Sequence, residues 1–205
     1  MSIIRKLASQ TAVYGLSSIF GRFLNYLLVP LYTYYFTAAE YGVVSEFYAY
    51  AGFFSVLLLF GFETGYFRFR DKEHTGPDIA YSTALMFVVL VNLGFFALIL
   101  LVNTQLSAAL NYANHPEYVL CFSLILIMDA IASIPFARLR AENKAFRFAG
   151  IKIIEIGVAV LLSLFFIIYC PKVYAADPES WVAPIYNPAI GIGYIFIANL
   201  MASGF

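Results

Sequence analysis

Five stretches of this chain stay apolar for about 20 residues or more, and a sixth is still running where the chain stops. An α-helix needs about 20 such residues, each rising 1.5 Å, to cross the hydrocarbon of a bilayer. The stretches cover approximately residues 11–36, 41–67, 80–102, 118–139, 146–169 and 189–205. They are too long for strands and lack the short apolar/polar alternation of a barrel. The expected fold is therefore all-α. It is a polytopic transmembrane helical bundle of five full spans and a truncated sixth, forming one domain over residues 1–205.

Composition agrees. The 205 residues are 62% apolar and 12% charged, and they include 21 Phe and 16 Tyr. The mean hydropathy is +0.83. A soluble domain carries about 25% charged and roughly 45–50% apolar residues. A core of this size could not hide so many large side chains and still present a polar surface. A soluble enzyme and a nucleic-acid binder are both excluded on this ground. Arg5 and Lys6 before an apolar stretch imitate a secretory signal. The stretch is too long, contains Arg22 and is followed by further spans, so it reads as a retained first helix. Ser2–Gln10 then forms a short interfacial lead-in.

The formal net charge is zero, so total charge points to no partner. Placement is more informative. If every span crosses, the N-terminus (Arg5, Lys6), the second connection (Arg68, Arg70, Lys72) and the fourth (Arg138, Arg140, Lys144, Arg147) share one side. The opposite segments, Thr37–Glu40, Asn103–Glu117 and Cys170–Pro188, hold only Lys172. Nine basic residues against one place the first side, and the N-terminus, in the cytoplasm. Gly76-Pro77 and Pro116 punctuate the starts of spans three and four. The last outer segment is rich in Pro and carries Trp181 where an interfacial aromatic belongs.

Ionisable residues inside spans are costly and usually face a cavity or a partner. Here they are Arg22, Glu46, Glu63, Asp129, Lys152 and Glu155. Gly15, Ser18, Arg22 and Asn25 recur at helical spacing and form one small polar stripe. Pro30 frees the carbonyl of Tyr26 and predicts a kink. The stripe could line a watery path in which the guanidinium of Arg22 holds phosphate oxygens. Equally, Arg22 could form a structural ion pair with Asp129, which also sits near the middle of its span. Lys152 and Glu155, three apart on span five, can pair along one face. Glu63 and Glu46 lie near opposite ends of span two and read as interfacial. Glu63 and Asp129 are the candidates for a protonatable coupling group. Arg138, Arg140 and Arg147 follow the positive-inside pattern and could also attract anionic headgroups. Cys121 and Cys170 fall near the outer ends of neighbouring spans, where a bridge is chemically allowed but isolated membrane cysteines are usually unpaired. No HExxH, P-loop, nucleophile elbow or CxxC is present. The two histidines, His74 and His115, fall on opposite sides of the membrane. No enzyme activity, metal or cofactor is expected.

Several local patterns resemble a known family. Gly21-Arg22-Phe23-Leu24-Asn25-Tyr26-Leu27-Leu28-Val29-Pro30-Leu31-Tyr32-Thr33 resembles the first helix of bacterial polysaccharide biosynthesis membrane proteins. These are the O-antigen-type flippases of the MATE-like superfamily. Glu40-Tyr41-Gly42 resembles their short outer turn, and Gly61-Phe62-Glu63-Thr64-Gly65-Tyr66-Phe67-Arg68-Phe69 the end of their second helix. Pro135-Phe136-Ala137-Arg138-Leu139-Arg140-Ala141-Glu142-Asn143-Lys144 resembles their connection between helices four and five. The resemblance implies a two-lobe transporter of the inner membrane, of which this chain is the N-terminal lobe. The C-terminal lobe would then be missing from this sequence. It implies an undecaprenyl-diphosphate-linked oligosaccharide as cargo, contacts with bilayer lipids and with a polysaccharide polymerase complex, and no nucleic acid. Arg22, with Ser18 and Asn25, matches the cavity position that engages the lipid diphosphate. Relatives often carry a basic residue just after the Pro-Leu-Tyr-Thr stretch, where this chain has Tyr34 and Tyr35. The rival expectations are an ion-coupled drug or cation exporter, a non-transporting scaffold of a polysaccharide assembly complex, and a membrane-embedded transferase.

Overall fold

The computed structural model describes residues 28–70 and 76–204. Ser18, Arg22 and Asn25, together with Arg5, Lys6, Lys72 and His74, lie outside the described residues. Those that are described form an all-helical bundle, with no strand among them. Helix α1 is described over residues 28–35. It is followed by α2 (Ala38–Leu59), α3 (Phe62–Phe69), α4 (Gly76–Ala109), α5 (Pro116–Ala141) and α6 (Ala145–Leu164). A π-helical turn (Phe165–Tyr169), α7 (Cys170–Ala176), a 3-10 turn (Pro188–Ile190) and α8 (Gly193–Ser203) complete the order. Four helical segments are long and apolar enough to cross a membrane: α2, α4, α5 and the continuous run Ala145–Ala176.

The bundle has two ends. Arg138 and Arg140 mark a basic end, where α5 closes and α6 begins; the far end holds the α1–α2 and α4–α5 connections. Local chemistry fixes these corners. Thr37 caps α2: its Oγ1 accepts from the Glu40 amide at 3.3 Å while its own amide donates to Glu40 Oε2 at 2.8 Å. This capping box satisfies two otherwise unpaired amides. Glu40-Tyr41-Gly42, expected as a turn, is thus already the first turn of α2. The ends of α4 and α5 share another device. Asn111 and Asn143 both adopt left-handed backbone, with φ of 64° and 57°. Tyr112 N donates to Ser107 O and Lys144 N to Leu139 O, at 2.7 and 2.9 Å. This is the Schellman closure, with asparagine in the position usually taken by glycine.

Three departures from the expected spans have local causes. Residues 41–67 do not form one helix. Phe60 and Gly61 are both left-handed (φ 49° and 69°), so α2 ends and α3 restarts. The interruption removes helical donors from nearby carbonyls. Asn92 of α4, fully buried, donates to Leu58 O at 3.2 Å as well as to Val88 O at 2.8 Å. We expect Asn92→Leu, which keeps the volume and removes the donor, to cost about 1–2 kcal/mol. Thermal unfolding of the purified full-length protein would read this as a lower midpoint. Second, Pro135–Ala141 belongs to α5 rather than to a connection; only Glu142–Lys144 links α5 to α6. Third, span five runs past residue 169 through the π-turn to Ala176, and the sixth helix begins at Gly193 after the 3-10 turn.

Helix α5 is central: it packs on α2, α3, α4, α6 and α8. Its most apolar window is 44% buried, against 17–28% for the other three spans, so those three mainly face outward. Phe47 of α2 meets Phe122 of α5 and Phe196 of α8 edge-on, each at 5.2 Å between ring centres. Toward the basic end the contact is built from small residues, Ala80 and Ala84 of α4 against Ala137 of α5 and Tyr66 of α3. Small residues let helices approach where lipid gives no hydrophobic drive. At the far end Tyr186, Tyr194 and Phe166 stack face to face at 5.1 and 5.0 Å. Trp181 is exposed beside Phe165 and Tyr169, as an interfacial aromatic should be. Cys121 and Cys170 are free thiols.

Candidate functional site

A cavity of about 540 Å³ opens between α1, α2, α5, α6 and α8. Its polar lining is supplied helix by helix: Tyr32 from α1, Tyr41, Ser45 and Tyr48 from α2, Asp129 from α5, Glu155 from α6, and Asn199 and Ser203 from α8. Helical spacing explains the grouping. Ser45 and Tyr48 are three apart, and Asn199 and Ser203 four apart, so each pair lies on one face. A smaller recess of about 210 Å³, lined by Pro135, Phe136, Ile151 and Lys152, continues toward the basic end. Asp129, Glu155 and Ser203 line both spaces. They stand where the two meet.

The charges there are linked. Lys152 Nζ lies 2.7 Å from Glu155 Oε2 and 4.5 Å from the centre of the Phe136 ring. Asp129 lines the same two spaces as Ser203 and Glu155, and it feels the charges of both Glu155 and Lys152. The Lys152–Glu155 pair and the Asp129 carboxylate thus line one recess. Tyr32 of the cavity lining and Ser163, both buried, are bonded at 3.1 Å across α1 and α6. That bond sits just before the π-turn, a type of irregularity common at functional sites.

The other sequence-derived residues sit elsewhere. Glu63, at the restart of α3, is bonded to Arg140 Nη2 at 2.8 Å and does not line the cavity. Arg138 spans from Asp78 of α4 (2.8 Å) to Glu142 (2.7 Å) and lies over the Tyr81 ring. Arg138 and Arg140 therefore tie α3, α4 and α5 together at the basic end. Arg147, exposed in the first turn of α6, has no ion-pair partner among the described residues. Lys144 and Arg138 hold the Glu142 carboxyl down to about 2. A lowered carboxyl stabilises the fold above its ordinary titration range, and that contribution is lost as pH falls toward 2. The corner should be insensitive between pH 7 and about 5. A carboxyl carbon-13 titration of labelled protein should place the Glu142 midpoint near 2, and a midpoint above 4 would contradict these pairings.

A sequence profile described as polysaccharide biosynthesis protein matches residues 35–176, more than two thirds of the chain. The chain belongs to this family. The matched range includes Glu63, Asp129, Arg138, Arg140, Arg147, Lys152 and Glu155, and excludes Ser18, Arg22 and Asn25 as well as Asn199 and Ser203 of α8. The family therefore covers the acidic half of the cavity wall and not the polar face that α8 adds. No curated protein and no solved structure matches the chain.

Ser45, Asn199 and Ser203 escaped the sequence reading, which followed ionisable residues and the one polar stripe around Arg22; Tyr48 was read only as one of many lipid-facing or interfacial aromatics. Their signal is uncharged polar residues repeating at helical spacing within an apolar span. Glu155 was read as a local partner of Lys152, which it is. The fold adds Asp129 to that pair, and no local spacing could show a contact between spans four and five.

Proposed function

We propose that this chain forms one lobe of a flippase that carries an undecaprenyl-diphosphate-linked oligosaccharide across the bacterial inner membrane for surface polysaccharide synthesis. The observation that carries this reading is a polar-lined cavity between membrane-length helices in a member of a polysaccharide biosynthesis family. Sugar hydroxyls cannot enter hydrocarbon without a large desolvation cost. A path walled by tyrosine hydroxyls, serines and an asparagine supplies hydrogen bonds, while the lipid tail stays in the bilayer. No covalent chemistry and no cofactor is needed. The basic end faces the cytoplasm under the positive-inside rule, which puts the N-terminus inside. Arg147 would attract the diphosphate headgroup, and Arg22 would hold it in the path. Arg138 and Arg140 would keep the lobe rigid as it rocks against a second lobe. Asp129, with Glu155, would carry the coupling ion; the ion pair to Arg140 makes Glu63 the weaker candidate.

A second reading, an ion-coupled cation exporter of the same architecture, draws support from Asp129 and Glu155 in the cavity wall. Liposomes separate the two. Full-length protein should expose a labelled lipid-linked oligosaccharide to a membrane-impermeant lectin within minutes. Retention of the sugar inside, together with ion-driven uptake of an organic cation, would replace the first reading by the second.

A further inference from the structure

The far end of the bundle carries a further recess, lined by different residues from the cavity around Asp129. It is a groove of about 410 Å³ between α2, α4 and α5, walled by apolar side chains such as Phe53, Phe54, Phe95, Leu106 and Leu126. An apolar groove on a membrane bundle identifies no ligand by itself. Its rim does. Tyr50, one of the groove residues, donates to Glu46 Oε1 at 3.0 Å. Tyr112, reaching in from the α4–α5 connection, donates to Glu46 Oε2 at 2.6 Å.

Glu46 lies eight residues into α2 from Ala38, about 12 Å along the axis. A carboxylate so placed needs a cation as well as hydrogen bonds. The two phenols provide hydrogen bonds and no charge. Burial, and then the bond to Glu46, push the Tyr112 phenol up to about 12, so it remains a donor at neutral pH. No Lys, Arg or His pairs with Glu46 among the described residues; the nearby His115 is bonded to Glu117 at 2.8 Å. A carboxylate offers about four lone-pair positions, and the phenols fill two.

We propose that this groove and its rim bind a phospholipid with a primary ammonium headgroup, phosphatidylethanolamine, with the ammonium on Glu46 and an acyl chain along the groove. Polarity runs in the order such a lipid requires, with charge at the rim near the far end and hydrocarbon toward the bilayer centre. The ammonium supplies both the missing charge and donors for the free lone pairs. Phosphatidylcholine has the charge without the donors, and phosphatidylglycerol has hydroxyl donors without the positive charge. The inference is independent of what the chain transports, and its test reads binding only.

Native mass spectrometry of the full-length protein in detergent, titrated with each of the three lipids, measures it directly. Phosphatidylethanolamine should bind about tenfold tighter than phosphatidylglycerol, the scale of a charge-assisted hydrogen bond, with phosphatidylcholine between them. Glu46→Gln, close in shape, should reduce phosphatidylethanolamine to the phosphatidylglycerol level and leave the latter unchanged. Equal binding of all three lipids would overturn the proposal. So would a preference that survives Glu46→Gln, or a dimer of the chain whose interface covers the groove in place of lipid. Should Glu46→Gln fail to fold, the wild-type lipid series decides by the same criteria.

Discussion

Asp129→Asn is expected to reduce surface polysaccharide to the level of a strain lacking the transporter, with the protein still present in the membrane at its normal amount. Asparagine keeps the size of aspartate, so the packing of α5 against α8 survives. It removes the charge and the exchangeable proton. Asp129 stands where the two recesses meet, faced by Glu155 and Lys152. A group so placed is positioned to take up a cation or proton from one space and release it to the other. A purely structural Asp129 would tolerate the change, and wild-type polysaccharide in this variant would remove the coupling role assigned to it.

The second large effect concerns Lys152. Its ammonium pairs with Glu155 and acts on Asp129 through its charge. The side chains of Lys152 and Glu155 are 33% and 22% exposed, so the pair is only partly shielded from solvent. Removing one partner of a buried pair costs about 3–5 kcal/mol, because the other charge is left uncompensated. Partial exposure lowers this, and Lys152→Met should destabilise the bundle by about 2–3 kcal/mol. The double variant Lys152→Met, Glu155→Gln should recover most of that loss, since no lone charge of the pair is left. Equilibrium unfolding in mixed micelles gives the full cycle. Additive losses in the double variant would show that Lys152 and Glu155 act separately and that the linked charge cluster is wrong.

What the sequence made legible was set by length and by charge. Long apolar runs and the one-sided placement of arginines lead to a membrane helical bundle, and four described helices are long and apolar enough to cross a membrane. Breaks inside runs were not legible. Phe60-Gly61 lies in an apolar stretch with no proline, and its left-handed turn is held by Asn92, 31 positions beyond Gly61 on another helix. The helix ends at Asn111 and Asn143 were readable in principle, because asparagine tolerates left-handed backbone. In the site, Asp129 stood out because charge is expensive in hydrocarbon. Asn199 and Ser203 did not, because a single amide or hydroxyl costs little and is common in membrane helices. The alliance of Asp129 with Glu155 and Lys152 depends on which faces of α5 and α6 meet, and this is a property of packing.

The most direct test of the central claim is complementation. The full-length gene is expressed in a strain that lacks its own flippase and makes a matched lipid-linked oligosaccharide, and surface polysaccharide is measured alongside the lipid-linked precursor. The account predicts that the wild type restores surface polysaccharide and clears the precursor from the inner leaflet, and that Arg22→Ala and Asp129→Asn do neither at equal protein level. A wild-type protein that reaches the membrane yet leaves the precursor inside would contradict it.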